Sequence, residues 1–123
     1  MYISIDFNSN EAIYIQLRNQ IVLGIAKEQI VEGELLPSVR QLAEELGVNM
    51  HTVNKAYTML KQEGYLTMDR RRGAVISVKV QDHSVNAIHS NMKMLVAEAI
   101  CCEMTKEDMN RLIAEMFDEF QSS

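Results

Sequence analysis

Cysteine is nearly missing from this 123-residue chain: its only two, Cys101 and Cys102, are adjacent. Neighbouring cysteines can hardly staple a fold, and two are too few for a secreted disulfide framework, so a reducing, cytoplasmic compartment is expected. No apolar run approaches the roughly 18 residues that span a bilayer. The opening MYISIDFNSN has neither a basic region nor a long apolar stretch, so no signal peptide is expected. Paired catalytic carboxylates, a nucleophile–base arrangement and a phosphate-cradling glycine loop are all lacking, which argues against an enzyme. His83, His89, Cys101, Cys102 and the nearby glutamates fit no standard zinc spacing, so neither a metal nor a cofactor is expected. Nothing basic adjoins the cysteines to lower a thiol pKa. There is no internal repeat and no low-complexity tract.

Positive charge is also scarce, with 12 Lys/Arg against 17 Asp/Glu and a net charge of −5. The deficit is unevenly spread. Residues 79–123 hold four basic against eight acidic residues, whereas residues 1–78 hold eight against nine. Within residues 49–73, Lys55, Lys61, Arg70, Arg71 and Arg72 face only Glu63 and Asp69, five minus two, or +3. Binding to an anionic partner depends on such local potential rather than on net charge.

What the chain does have is concentrated in three consecutive blocks: LPSVRQLAEELGV (36–48), NMHTVNKAYTMLKQEGYL (49–66) and TMDRRRGAVISV (67–78). Before them, residues 2–7 alternate as an edge strand or a loose arm. A first helix is expected near residues 10–28, with Asn8, Ser9 and Asn10 as cap candidates and Tyr14, Leu17, Ile21 and Ile25 as its apolar stripe. Residues 31–36, with Gly33 and then the single Pro37, read as a connector. Ser38 caps a second helix and pairs with Gln41 in an S-x-x-Q capping box. Leu42, Ala43 and Leu46 form its buried face, and Gly47 ends it. Asn49 caps a third helix that buries Val53, Ala56, Tyr57 and Leu60 and closes at Gly64. Residues 65–68 and 74–78 read as two short strands around a hairpin loop at 69–73. This is how a winged helix-turn-helix would be written: mostly α (α+β), spanning residues 1–79.

A helix that reads DNA presents short polar side chains from its first turns, since that end reaches deep into the major groove. Met50, His51, Asn54 and Lys55 face outward there, beside Asn49 and Thr52. Asn54 can pair with an adenine edge, and Met50 can touch a thymine methyl. Thr52 and the free N–H groups of the helix start suit a phosphate. Lys55 suits a base or a phosphate, and Arg40 a phosphate or a guanine at the groove's edge. Arg70, Arg71 and Arg72 repel one another at the ribbon's tip and stabilise no fold, so an anionic partner explains them most simply. Gly73 lets the loop turn and lets backbone approach the phosphates.

After a polar break at 81–84, residues 80–123 form an acidic two-helix tail. Val85, Ile88, Met92, Leu95, Ala99 and Cys102 recur at three and four residues. Thr105 with Asp108 resembles another capping box, with Met104 and Met109 at the staple positions. Met109, Leu112, Ile113, Met116, Phe117 and Phe120 form a further stripe. A hairpin of this size cannot hide both stripes by folding on itself. Burying each Leu, Met or Phe contributes roughly 1.5–3 kcal/mol, so a symmetric bundle from two chains is expected.

Over residues 10–78, LPSVRQLAEELGV, TVNKAY, EGYL and the RRRG tip resemble the GntR family of bacterial transcription regulators, and the short helical tail is similar to the YtrA-type subgroup. The resemblance implies a homodimer on a palindromic operator in double-stranded DNA. It also implies DNA contacts from Arg40, the start of the third helix, and the wing glycine with its neighbours; Ser38, at the cap of the second helix, is a further candidate contact. One departure is Met50, where many members carry a basic residue; weight shifts to His51, Asn54 and Arg40. The leading reading is a repressor that occludes a promoter. The alternative is a winged protein–protein interaction module without sequence-specific DNA binding. A small-molecule effector, held between tail helices among the chain's nine methionines, stays open.

Overall fold

The computed structural model describes residues 3–79 and 82–121, without the side chains of residues 82 and 83. Residue 81 of the expected polar break, residue 2 of the N-terminal arm and the His83 side chain therefore lie outside the described residues, and the rest of that break, residues 82–84, is helical. Among those described, the elements are α1 (Ile13–Ala26), α2 (Val39–Leu46), α3 (Met50–Gln62), β1 (Leu66–Asp69), β2 (Gly73–Ile76), α4 (Asp82–Cys101) and α5 (Lys106–Gln121). The chain divides into two compact units, Met1–Lys79 and Val80–Ser123.

The first unit is built on the packing of α1 and α2 against α3. Leu17 and Ile21 of α1 and Val53, Ala56 and Leu60 of α3 are wholly buried. Tyr14 and Ile25, the ends of the expected α1 stripe, are only half-buried and pack on the core's edge. Arg18 ties α1 to the end of α3 by a two-pronged pair with Glu63, Nε–Oε1 and Nη2–Oε2 both at 3.0 Å.

Helix α1 starts later than expected, and Asn8, Ser9 and Asn10 do not cap it; its N-cap is Ala12, without a side-chain bond. The reason lies in Gln16, which is buried. Its Oε1 accepts from the Asp6 N–H at 2.9 Å, and its Nε2 donates to the carbonyls of Asp6 (3.0 Å) and Glu11 (2.9 Å). Asp6 and Ser9 meanwhile accept from the N–H groups of Asn8 and Glu11, so these short polar side chains close local turns instead of a helix end. One turn further along α1, Gln20 exchanges hydrogen bonds with both backbone groups of Ser4. The N-terminal arm is thus an extended segment clipped along α1 by two amides, not a sheet edge.

β1 and β2 pair antiparallel, Leu66 opposite Ile76 and Asp69 opposite Gly73, within one or two residues of the expected strand ends. The larger difference is at residues 31–36. This stretch runs beside the two-stranded sheet and is tied to β2 by an isolated bridge: Leu35 bridges Val75, Gly33 N–H donates to the Ile76 carbonyl (2.8 Å), Ile76 N–H to the Glu34 carbonyl (2.9 Å), and Leu36 N–H to the Ala74 carbonyl (2.9 Å). Its pairing satisfies backbone groups of a sheet partner forty residues away in sequence, which no local pattern encodes.

In the second unit α4 turns into α5 through Glu103, whose φ is 62°. Thr105 and Asp108 form the reciprocal capping box: Thr105 N–H to Oδ2 at 2.9 Å and Asp108 N–H to Oγ1 at 3.0 Å. The Thr105 N–H, followed by the Thr105 hydroxyl, holds the Asp108 carboxyl below its usual pKa. An apolar cleft of about 340 Å³ opens between the two helices, lined by Met92, Leu95, Met109, Leu112 and Met116 among others.

Candidate nucleic-acid interface

The helix-turn-helix is fixed by local bonds. Ser38 Oγ accepts from the Gln41 N–H at 3.1 Å, while the Gln41 amide reaches Glu45 rather than returning to Ser38, so the capping box is one-sided. Gly47 ends α2 in the left-handed region (φ 69°, ψ 36°), a conformation that disfavours any side chain. Asn49 then caps α3, its Oδ1 accepting from the His51 N–H at 2.8 Å. Behind this turn the buried Tyr57 donates its hydroxyl to the Pro37 carbonyl at 2.7 Å. That bond anchors the start of α2 to the middle of α3, and burial pushes the phenol pKa up.

The opening turn of α3 is open to solvent. Asn49, Met50, His51, Asn54 and Lys55 are exposed, as are Ser38 and Arg40 on α2; Thr52 is half-buried. Asn49, Met50, His51 and Asn54 share one shallow depression with Val39. Lys55 does not join them: its ammonium sits over the Tyr14 ring of α1, 4.0 Å from the centroid. Arg40 also lies outside that depression's lining.

At the ribbon's tip Arg70, Arg71 and Arg72 are exposed and Gly73 is half-buried. Gly73 has φ 91° with nothing within 4 Å of where a Cβ would stand, so conformation rather than space calls for glycine. Asp69 organises the loop. Its Oδ1 accepts from the N–H groups of Arg71 (2.8 Å) and Arg72 (3.0 Å), and its Oδ2 meets Arg72 Nε at 3.3 Å. Those two backbone bonds hold the carboxyl below its usual pKa. Sequence reasoning missed the roles of Asp69, Tyr57 and Tyr14. An aspartate opening a polar hairpin loop is a known turn-closing pattern and signals the first; the other two depend on long-range packing.

Of the expected dimerisation residues, Ala99 is buried, and Ile113 and Phe120 are half-buried. The rest stand exposed in the single chain: Val85 55%, Ile88 64%, Met92 37%, Leu95 53%, Leu112 37%, Met116 47% and Phe117 62%. Cys101 and Cys102 are free thiols, both exposed. Among the described residues no three His, Cys, Asp or Glu converge as ion ligands, and no helix is long and apolar enough to cross a membrane.

A helix backed by α1, entered through a left-handed turn from α2 and followed by a β-ribbon, defines a winged helix-turn-helix, the architecture of DNA-binding regulators. The chain belongs to the GntR family: the family model described as "Bacterial regulatory proteins, gntR family" matches residues 9–76. It is therefore a transcription regulator with a DNA-binding helix-turn-helix domain, from a family of regulators and not of enzymes. The transcriptional repressor YtrA of Bacillus subtilis is 32% identical over 118 residues, covering 93% of this chain and 91% of its own. The solved structure of YtrA from Sulfolobus acidocaldarius, a GntR-family transcription factor, is 38% identical with a TM-score of 0.60, covering 95% of this chain and 97% of that one. A transcriptional antiterminator from Listeria monocytogenes shares the fold, with a TM-score of 0.88 at 22% identity over 98% of this chain and 92% of that one. The likeness to YtrA-type regulators thus runs through the tail as well as the winged unit.

Proposed function

We propose that this regulator is a cytoplasmic, homodimeric repressor that binds a palindromic operator. Residues 1–79 bind DNA and residues 80–123 dimerise. In this reading α3 enters the major groove, with His51 and Asn54 at base edges and Met50 against a thymine methyl. Asn49 and Thr52 at its start, with Ser38 and Arg40 of α2, meet the groove's wall, while Arg70, Arg71 and Arg72, with the backbone at Gly73, grip the adjacent minor groove or phosphates.

The observation that carries the reading is the solvent-open first turn of α3: Met50 is 45% exposed although the same helix buries Val53, Ala56 and Leu60 completely. A monomeric globule gains nothing by displaying methionine, histidine and asparagine together at one helix start, whereas a groove-reading helix needs them there. Dimerisation is supported by the row of exposed apolar side chains on α4 and α5. Repression is supported by the B. subtilis relative, itself named a repressor.

Selection from a pool of random DNA duplexes at two salt concentrations tests the proposal. An inverted repeat should be enriched, and affinity should fall with salt at a slope of about −0.9 per neutralised phosphate. Recovery of no preferred sequence, with salt-insensitive binding, would sink the reading.

A further inference from the structure

We infer that Tyr14 is a positioning residue for DNA binding, holding the Lys55 ammonium at the α1 flank of the recognition helix, where it meets a backbone phosphate rather than a base. The inference rests on the DNA-binding reading above. Its warrant is the juxtaposition of a half-buried ring on α1 and a charged tip 4.0 Å from the ring's centroid.

The helix geometry separates two sets of residues. Neighbouring positions on an α-helix point about 100° apart, so Lys55 diverges from Asn54 by more than a quarter turn. The depression shared by Asn49, Met50, His51 and Asn54 includes Val39 of α2 and excludes Lys55. Lys55 leans the other way, onto α1. A helix lying in the major groove has base edges beneath it and phosphate walls on its flanks. The side chain that leans sideways therefore faces a wall.

The ring suits this task. A cation above an aromatic face keeps its full charge, unlike one paired with a carboxylate, and no carboxylate is paired with Lys55 among the ion pairs of the described residues. Lysine otherwise samples many rotamers and loses that freedom on binding. Tyr14 is well anchored for holding it, because its ring packs against the core cluster. Part of the ordering is then complete before DNA arrives.

The test compares Tyr14→Phe, Tyr14→Leu, Lys55→Ala and the double variant Tyr14→Leu/Lys55→Ala on the full chain, using the selected operator and an unrelated duplex across a salt series. Lys55→Ala, at an exposed position, should weaken both duplexes alike and reduce the salt slope by about 0.9 for each lysine lost. Tyr14→Leu should weaken both by about threefold to tenfold with the slope unchanged, and Tyr14→Phe should match the wild type. The double variant should bind no more weakly than Lys55→Ala. In the free protein, the Lys55 ε-protons should show a ring-current shift that survives Tyr14→Phe and vanishes in Tyr14→Leu, a readout that does not depend on DNA. An unchanged slope in Lys55→Ala, or tighter binding by Tyr14→Leu, would mean the ring sequesters the lysine and would overturn the inference. Loss of preference at a single base in Lys55→Ala would overturn it in favour of base reading. A wild type without salt-dependent binding would instead bring down the DNA-binding reading on which the inference stands.

Discussion

Phe117 offers a direct test of the tail. Its side chain is 62% exposed in the single chain, so truncating it should cost the isolated hairpin little. If a second copy covers it, the outcome is different. Complete burial of a phenylalanine contributes roughly 1.5–3 kcal/mol, and about three-fifths of that surface remains to be buried, leaving roughly 1–2 kcal/mol per copy. A two-fold symmetric interface uses the same residue twice, so Phe117→Ala should weaken the dimer by about 2–4 kcal/mol, or about 30- to 700-fold in Kd. Sedimentation velocity over a concentration series measures this, with circular dichroism confirming that helicity is kept. A wild type that stays monomeric at micromolar concentration, or a variant that dimerises as tightly as the wild type, would refute the reasoning. Operator affinity should fall with the dimer, because each half-site alone binds far more weakly than two joined sites.

Tyr57→Phe leaves the Pro37 carbonyl without its partner and should cost about 1–3 kcal/mol in denaturant unfolding; an unchanged midpoint would show that the bond contributes nothing. Because burial raises the Tyr57 phenol pKa in the folded state, stability should hold below the unfolded value of about 10 and decline as pH rises past it, with the decline absent in Tyr57→Phe. The wing tip should behave oppositely. The Asp69 carboxyl is held low by the Arg71 and Arg72 amides, so the ordered loop persists above the unfolded value near about pH 4 and loosens as pH falls through the folded one. Amide exchange at Arg71 and Arg72 should report this, and Asp69→Asn should abolish the acid transition. Glu28 sits at φ 61° just past α1, and Glu28→Gly should relieve about 1 kcal/mol of backbone strain, visible as a higher Tm.

What could be foreseen from the sequence was what local chemistry decides. Ser38, Gly47, Asn49 and the Thr105–Asp108 pair act at helix ends through bonds spanning two to four residues, and all four appear where their types predict. The buried faces of α2 and α3 follow the 3.6-residue period for the same reason. Where the expectations missed, a distant partner had intervened. Asn8 to Asn10 had a cap's composition, but the buried Gln16 amide took the adjoining backbone and delayed α1. Residues 31–36 looked like a connector because their partners lie on β2, some forty residues on. Lys55 is exposed as its place on a helical wheel predicts, but the wheel says nothing of the Tyr14 ring on another helix that its ammonium lies over.

The same distinction between local count and spatial arrangement resolves the charge paradox. Five basic residues against two acidic ones in residues 49–73 is a small excess, but the two acids are both engaged. Glu63 faces Arg18, an added cation contributed by α1. Asp69 accepts from two backbone amides and from Arg72, so part of its charge is met by dipoles that carry no net charge of their own. Lys55 is held by a neutral ring and keeps its full charge. The cations that would face a duplex are therefore less compensated than their number suggests, while the acidic surplus belongs to the tail. A uniformly basic chain would bind any polyanion it met; one that concentrates its charge at the wing and recognition helix, and is acidic elsewhere, favours contact in one orientation. Reversing a tail carboxylate such as Glu115 should accordingly strengthen binding to unrelated duplexes more than to the operator and lower discrimination, which competition of the operator against unrelated duplexes measures.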